Sequence, residues 1–437
     1  MSRRCRSLVW LHATAVVVAL PFVAAAEDWA QWRGPSFNGY TTETNLPTTW
    51  SKTENVAWET KLPGPGSSTP IVWGDRVFLT AIEAESKKMW ALCLDRKDGH
   101  ELWRLEAGEG FFGQTGNNGA SPSPICDGQR GYFMFGTGDL FACDLGGQVL
   151  WKRNLQEDHG QFQILWKWAG SPLLWEGKLY IAVLHQHTAA PQEPGKPKPC
   201  SYLLCVDPAT GKDVWKQERP TDAPGESMQA YITPYPYPGP NGTLLVLPGG
   251  DCVTAHDPAT GREVWRSLGY NQGGITYYRV VPSSVGVDGL VTGYVPRGNE
   301  LFALKADGTG QLPEDAFAWI LKRNAPDVCT PLVMDGKLFV LDGTRKVLSC
   351  VAPKTGEVLW DGKLDAKDRF RASPTGADGK IYCLSMDGVA FVLSAGDKFE
   401  VLSRIEMGGA GDQSTIAVSH GQLFIRTSES LYCVGKQ

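Results

Sequence analysis

Two stretches fifty residues apart constrain this chain most, because Asp207, Gly211 and Trp215 in CVDPATGKDVW reappear as Asp257, Gly261 and Trp265 in TAHDPATGREVW. Each part has a physical job. Pro208 presets φ for a turn, Asp207 can accept hydrogen bonds from the amides beyond it, and Gly211 supplies a positive φ that a β-carbon resists. An apolar strand enters the turn and a second strand leaves it, carrying a large aromatic at a fixed place. One copy is a hairpin, whereas many copies are an architecture, so fixed-period self-similarity is the reading to settle first.

The turn and its tryptophan recur from Cys93 to Trp103, from Ala142 to Trp151 (one residue shorter) and from Cys350 to Trp360. A stretched version runs from Ala303 through Gly308 to Trp319, and a worn one, FVLSAGDKFEVL, ends at Leu402 without a tryptophan. Upstream of each copy lies another short hairpin, as at 68–80, 122–135, 170–183, 330–341, 373–384 and 414–425. Every repeat thus offers four short strands at a period of roughly 40–50 residues, the spacing of propeller blades. Near the start, Val56-Ala57-Trp58 matches a fourth strand with no first three before it, and the chain stops at LYCVGKQ, a third strand with nothing after it. Each terminus has what the other lacks. The expected fold is an all-β, eight-bladed β-propeller of four-stranded antiparallel blades, closed by an N-terminal strand that completes the last blade.

Arg3, Arg4 and Arg6 precede an apolar run from Leu8 to Val23, and Ala24-Ala25-Ala26 offers a cleavage site, so residues 1–26 read as a secretory signal peptide. The chain is therefore expected to be exported, periplasmic or extracellular, with no membrane span after cleavage. Residues 27–54 carry Trp29, Trp32, Phe37 and Tyr40, too many aromatics for a disordered linker, and are expected to pack on the propeller surface as an arm. The propeller is expected to occupy 55–437. A net charge of -5 gives no basic excess, so nucleic acid is not an expected partner.

Cysteines in an exported chain ordinarily suggest disulfides. Here Cys93, Cys205, Cys350 and Cys433 fill the place that Ala142, Ala255 and Ala303 fill in other repeats, which reads as a small buried position. Cys126, Cys200, Cys252, Cys329 and Cys383 fall outside that register and leave a bridge open.

The loops are lopsided. First-to-second and third-to-fourth turns are short and share one face, while the opposite face carries long irregular segments at 106–119, 156–168, 185–199, 220–229 and 269–279. Long loops on a rigid scaffold are where binding resides. Residues entering the first strands should ring the axial channel there: Asn117, Trp168, Gln229, Arg279, Arg371 and Gln413, with Tyr231 and Tyr278 close by. Arginines, amides and aromatics together suit an anionic or aromatic ligand. The bland alternative is that they hydrate the channel and bond neighbouring blades.

The repeats resemble the propeller repeats of the pyrroloquinoline quinone (PQQ) group over nearly all of 55–437. That resemblance implies that Trp58, Trp103, Trp151, Trp215, Trp265, Trp319 and Trp360 dock between neighbouring blades, with indole N–H bonded and ring buried. It speaks to fold more than to chemistry. The group includes quinoprotein dehydrogenases, and it includes propellers that bind no quinone, among them the scaffold of the bacterial outer-membrane assembly machinery; the WRGPSFNG opening also looks like secreted PQQ-like proteins of planctomycete-type bacteria. This chain has no adjacent cysteine pair and no Cys-x-x-Cys-His haem site, and its acidic candidates for calcium, Glu226, Asp251, Asp327 and Asp412, share no diagnostic spacing. His185 and His187 lack a third ligand in sequence. No phosphate loop, nucleophile elbow or His-Glu-x-x-His occurs, and the Gly-His and Trp-Asp marks of WD40 blades are missing. The expectation is an exported, non-catalytic propeller that binds a protein partner or small ligand on its long-loop face, with neither cofactor nor metal. The alternative is a PQQ- and calcium-dependent oxidoreductase of an alcohol or sugar, in which Arg279 or Arg371 holds a quinone carboxylate and Trp168 stacks on its ring.

Overall fold

In a computed structural model of the protein, residues 27–435 are described, except 52, 113–116, 186–199 and 412. The segment read as a signal peptide, His187 and Asp412 lie outside the described residues. Eight antiparallel sheets follow one another: blades one to seven span 71–109, 125–154, 173–218, 235–266, 286–321, 332–363 and 375–406. Blade eight joins strands at 417–434 to Val56–Lys61, so the early strand closes the ring as its pattern predicts. The seal is a ladder from Val56↔Val434 to Lys61↔Ser430, and the Gly435 amide donates to the Asn55 carbonyl at 2.8 Å. One blade exceeds four strands. The long connection inside blade five sends Gly310–Gln311 back to pair in parallel with the outer strand of blade four.

The tryptophan repeat is an inter-blade bond. Trp58, Trp103, Trp151, Trp215, Trp265, Trp319 and Trp360 each donate from Nε1, at 2.7–3.2 Å, to a carbonyl in the third-to-fourth turn of the next blade: Arg96, Leu145, Pro208, Pro258, Ala306, Pro353 and Gly396 respectively. The turn glycine has two reasons to be glycine. Gly211 has φ +70°, and a β-carbon there would lie 2.5 Å from the Trp151 ring; Gly261 stands in the same relation to Trp215. The small third-strand position is explained by register, since Cys93, Ala142, Cys205, Ala255, Ala303, Cys350 and Cys433 each sit directly across the ladder from their blade's indole. A large ring needs a small cross-strand neighbour at close-packed density. All ten described cysteines are free, so the bridge left open by the sequence among Cys126, Cys200, Cys252, Cys329 and Cys383 is absent.

Blade seven departs from the pattern, and not where the sequence suggests. A bulge places Ser403, one residue beyond Leu402, in the indole slot, and its cross-strand partner is Val392. The turn it would face does not exist, because that is where the chain's two ends meet.

A second ring of bonds surrounds the axis. Two or three residues ahead of each first strand stands a serine or threonine, and over blades two to seven its hydroxyl accepts the amide of its counterpart one blade back: Thr69 to Ser123, Ser123 to Ser171, Ser171 to Thr233, Thr233 to Ser283, Ser283 to Thr330 and Thr330 to Ser373, at 2.9–3.2 Å. These amides are buried, and each would be costly to leave unpaired.

Candidate functional site

The N-terminal arm packs along the short-turn face of the propeller and reaches the axis. Its contacts come from blade after blade. The Trp29 carbonyl accepts the Val72 amide and the Ala30 carbonyl that of Cys126. The Gln31 side chain exchanges two bonds with the Leu174 backbone, and the Glu43 carboxylate accepts the amides of His420 and Gly421. At the centre, Arg33 is 1% exposed and donates to the carbonyls of Asn38, Pro331 and Pro374 at 2.7–2.8 Å. Burial pushes its pKa down to about 9, which leaves it charged at neutral pH.

Above the arm, opening toward the long loops, lies a cavity of about 340 Å³. Trp32 closes its lower end and Ser123, Ser171, Thr233, Thr330 and Ser373 of the hydroxyl ring form its wall. Among the described residues its charged lining consists of Arg279, Arg297, Arg369, Arg371 and Asp327. Arg279 forks onto the Asp327 carboxylate at 3.0 and 3.4 Å and approaches Glu226 at 3.5 Å. Glu226 also meets Arg297 at 3.4 Å and accepts the Trp166 indole N–H at 2.6 Å. Burial first, then the like charge of Arg369, lowers the pKa of Arg371. Nearby positive charge of that kind is what a bound anion relieves.

Of the residues the sequence nominates, Asn117, Tyr231, Arg279, Arg371 and Gln413 line this cavity together. Three do not line it. Trp168 is 1% exposed and turned into the wall, its Nε1 donating to the Ala182 carbonyl, while Trp166, two residues earlier, faces the cavity. Gln229 is fully buried beneath, its Oε1 accepting the Leu165 amide and the Tyr231 hydroxyl, and the Tyr278 amide is tied to Ser227 Oγ. Trp32, Arg297, Asp327, Arg369 and the hydroxyl ring join the lining without having been nominated as channel residues. The ring had a signal in sequence: Thr69, Ser123, Ser171, Thr233, Thr330 and Ser373 each precede a proline at the head of a blade.

The calcium candidates scatter. Glu226 and Asp327 meet around Arg279, whereas Asp251 sits on the blade-four hairpin bonded to Asn271, its pKa raised by burial to about 6. Among the described residues one group of three, Asp95, Asp98 and His100, has ligand atoms within 4.8 Å of one another and could hold a metal ion. It lies in the outer turn of blade one that receives Trp58, not among the lining residues.

Fold and cavity together define a closed eight-bladed propeller with a cationic axial pocket, of the PQQ-like class. The chain belongs to the family described as outer membrane protein assembly factor BamB, which it matches over residues 40–197 and 201–434. No curated protein matches it in sequence. Among solved structures it is similar to BamB from Moraxella catarrhalis, with 14% identity over 89% of this chain and 99% of that one and a TM-score of 0.57. It is also similar to the quinohemoprotein alcohol dehydrogenase of Comamonas testosteroni, with 12% identity over 94% and 81% and a TM-score of 0.64. A europium-containing methanol dehydrogenase gives 12% identity over 93% and 89%, also at 0.64. At such identities these likenesses establish the fold alone, which is compatible with a scaffold or an oxidoreductase.

Proposed function

We propose that this protein is an exported propeller whose axial cavity binds a small, carboxylate-bearing planar ligand. The observation that carries this is the lining itself, four arginines and one aspartate around indole faces at Trp32 and Trp166. A volume of about 340 Å³ suits a small molecule and not a folded partner. Arginine forks recognise carboxylates bidentately, and indoles offer a flat apolar surface for a ring. Membership of an outer-membrane assembly family supports export to the periplasm, and among the described residues no helix is long and apolar enough to cross a membrane.

Calorimetric titration tests the proposal, with benzene-1,3,5-tricarboxylate and PQQ as probes. Binding at micromolar affinity, weakening as salt rises, is expected, with a loss of about ten- to hundredfold in Arg371→Gln. Millimolar or absent binding of both probes would remove the reading.

The arginines and indoles also favour a second reading, in which the ligand is PQQ and the protein oxidises an alcohol or sugar. The acidic groups of the quinone would meet Arg371, Arg279 being held by Asp327 and Glu226, and Trp166 and Trp32 would take the stacking place expected of Trp168. Bound there, the quinone would supply two-electron redox chemistry. Among the described residues the lining does not fit its calcium, which takes six to eight oxygens, whereas Asp327 is the one lining carboxylate there and Arg279 already engages it. A stoichiometric quinone chromophore with dye-linked oxidation of an alcohol panel would establish this reading, and binding without turnover would leave the first.

A further inference from the structure

Trp32 and Arg33 are neighbours with opposite fates. Trp32 faces the cavity, while Arg33 disappears into the channel wall beneath it. The guanidinium of Arg33 reaches Pro331 and Pro374, the residues that follow Thr330 and Ser373 of the hydroxyl ring, so the arm is fastened to the same level of the channel that walls the site. Gly39 folds back on the guanidinium so closely that a β-carbon there would overlap it, and the Gly39 amide donates to the Arg33 carbonyl at 3.0 Å. The loop from 33 to 39 is thus a clasp around one buried cation. Its three acceptors are backbone carbonyls from two blades and from the loop itself, with no dependence on any particular neighbouring side chain.

A segment fastened in this way does more than tether the N-terminus. We propose that the arm is a working part of the axial site: Trp32 is the surface on which the ligand rests, Arg33 is the positioning residue that holds it there, and arm docking and ligand occupancy are thermodynamically linked. Linkage runs both ways, so whatever loosens the arm weakens the ligand, and the ligand tightens the arm. The ligand half of this rests on the anion site proposed above; the closure half does not.

Hydrogen exchange read by mass spectrometry on the full chain separates the two halves. Arg33→Met removes the three guanidinium bonds but keeps an apolar stem, and Gly39→Ala attacks the same clasp from the other side. Both should speed exchange in peptides covering 27–50 by about tenfold or more while strands of blade two stay protected, as a local opening does. Unchanged arm exchange in both variants would overturn the closure. For the ligand half, benzene-1,3,5-tricarboxylate should slow exchange of the arm in the wild type, and Trp32→Ala and Arg33→Met should each weaken its binding about tenfold or more. Equal binding by wild type and both variants would overturn the arm's role while leaving the anion site intact. No binding to the wild type would overturn the anion site and the ligand half with it, and the closure would then stand or fall on the exchange of Arg33→Met and Gly39→Ala.

Discussion

Seven junctions between neighbouring blades are held by an indole that donates into the next blade's turn, and the junction between blades seven and eight is not. There Ser403 occupies the slot, Val392 replaces the small cross-strand residue, and the Ser403 hydroxyl donates to the carbonyl of Thr48 in the arm. Trp50, 6% exposed, donates to Met407 Sδ at the end of the same outer strand, and the Pro47 carbonyl accepts the Tyr382 hydroxyl. The arm supplies both the acceptor and a buried indole where blade eight has no continuous turn to offer. Seven junctions pair an indole with a carbonyl, and at the eighth the arm brings a carbonyl to the Ser403 hydroxyl and an indole to the Met407 sulfur.

That comparison can be broken in several ways. The largest effect belongs to the seal: deleting 55–62 removes the outer strand of blade eight together with Trp58, and no cooperative melting transition is expected by circular dichroism or calorimetry. A truncated chain that melts like the intact one would show that the ring does not need closing. Next comes Trp265→Ala at a regular junction, where the ring is fully buried and its N–H is bonded to Ala306; a loss of about 3–5 kcal/mol in chemical denaturation is expected. If the arm truly substitutes for a docked tryptophan, Trp50→Ala should cost a comparable though smaller amount, about 2–3 kcal/mol, and a change below about 0.5 kcal/mol would reduce the arm at this junction to decoration. The finest probe is Ser403→Trp. Opposite Val392 the new ring overpacks and should cost about 1–3 kcal/mol, and adding Val392→Ala should recover part of it, as the small partners of the other seven indoles imply.

The two rings differ in how much of them could be read in advance. Trp215 and Trp265 were legible because the same physical demand recurs at fixed offsets, and the cysteines at 93, 205, 350 and 433 were legible as small residues for the same reason. Leu402 was misread by one position, because a bulge in the ladder shifts the slot to Ser403 and no repeat announces it. At the axis, Arg279 and Arg371 were found from their place before a blade, but Trp168 was chosen where Trp166 faces inward. An irregular loop has no period, so the direction of each indole is set by what it packs against.

The sequence by itself determined the repeat, the number of blades and the seal, because turn chemistry and strand alternation are local demands that every copy must meet. Only the tertiary structure decided that the arm enters the channel, that Arg33 is buried under Trp32, and that arginines from separate blades share one cavity with Asp327. Those outcomes depend on distances between segments hundreds of residues apart, as between Arg33 and Pro374, and such distances exist only once the ring has closed.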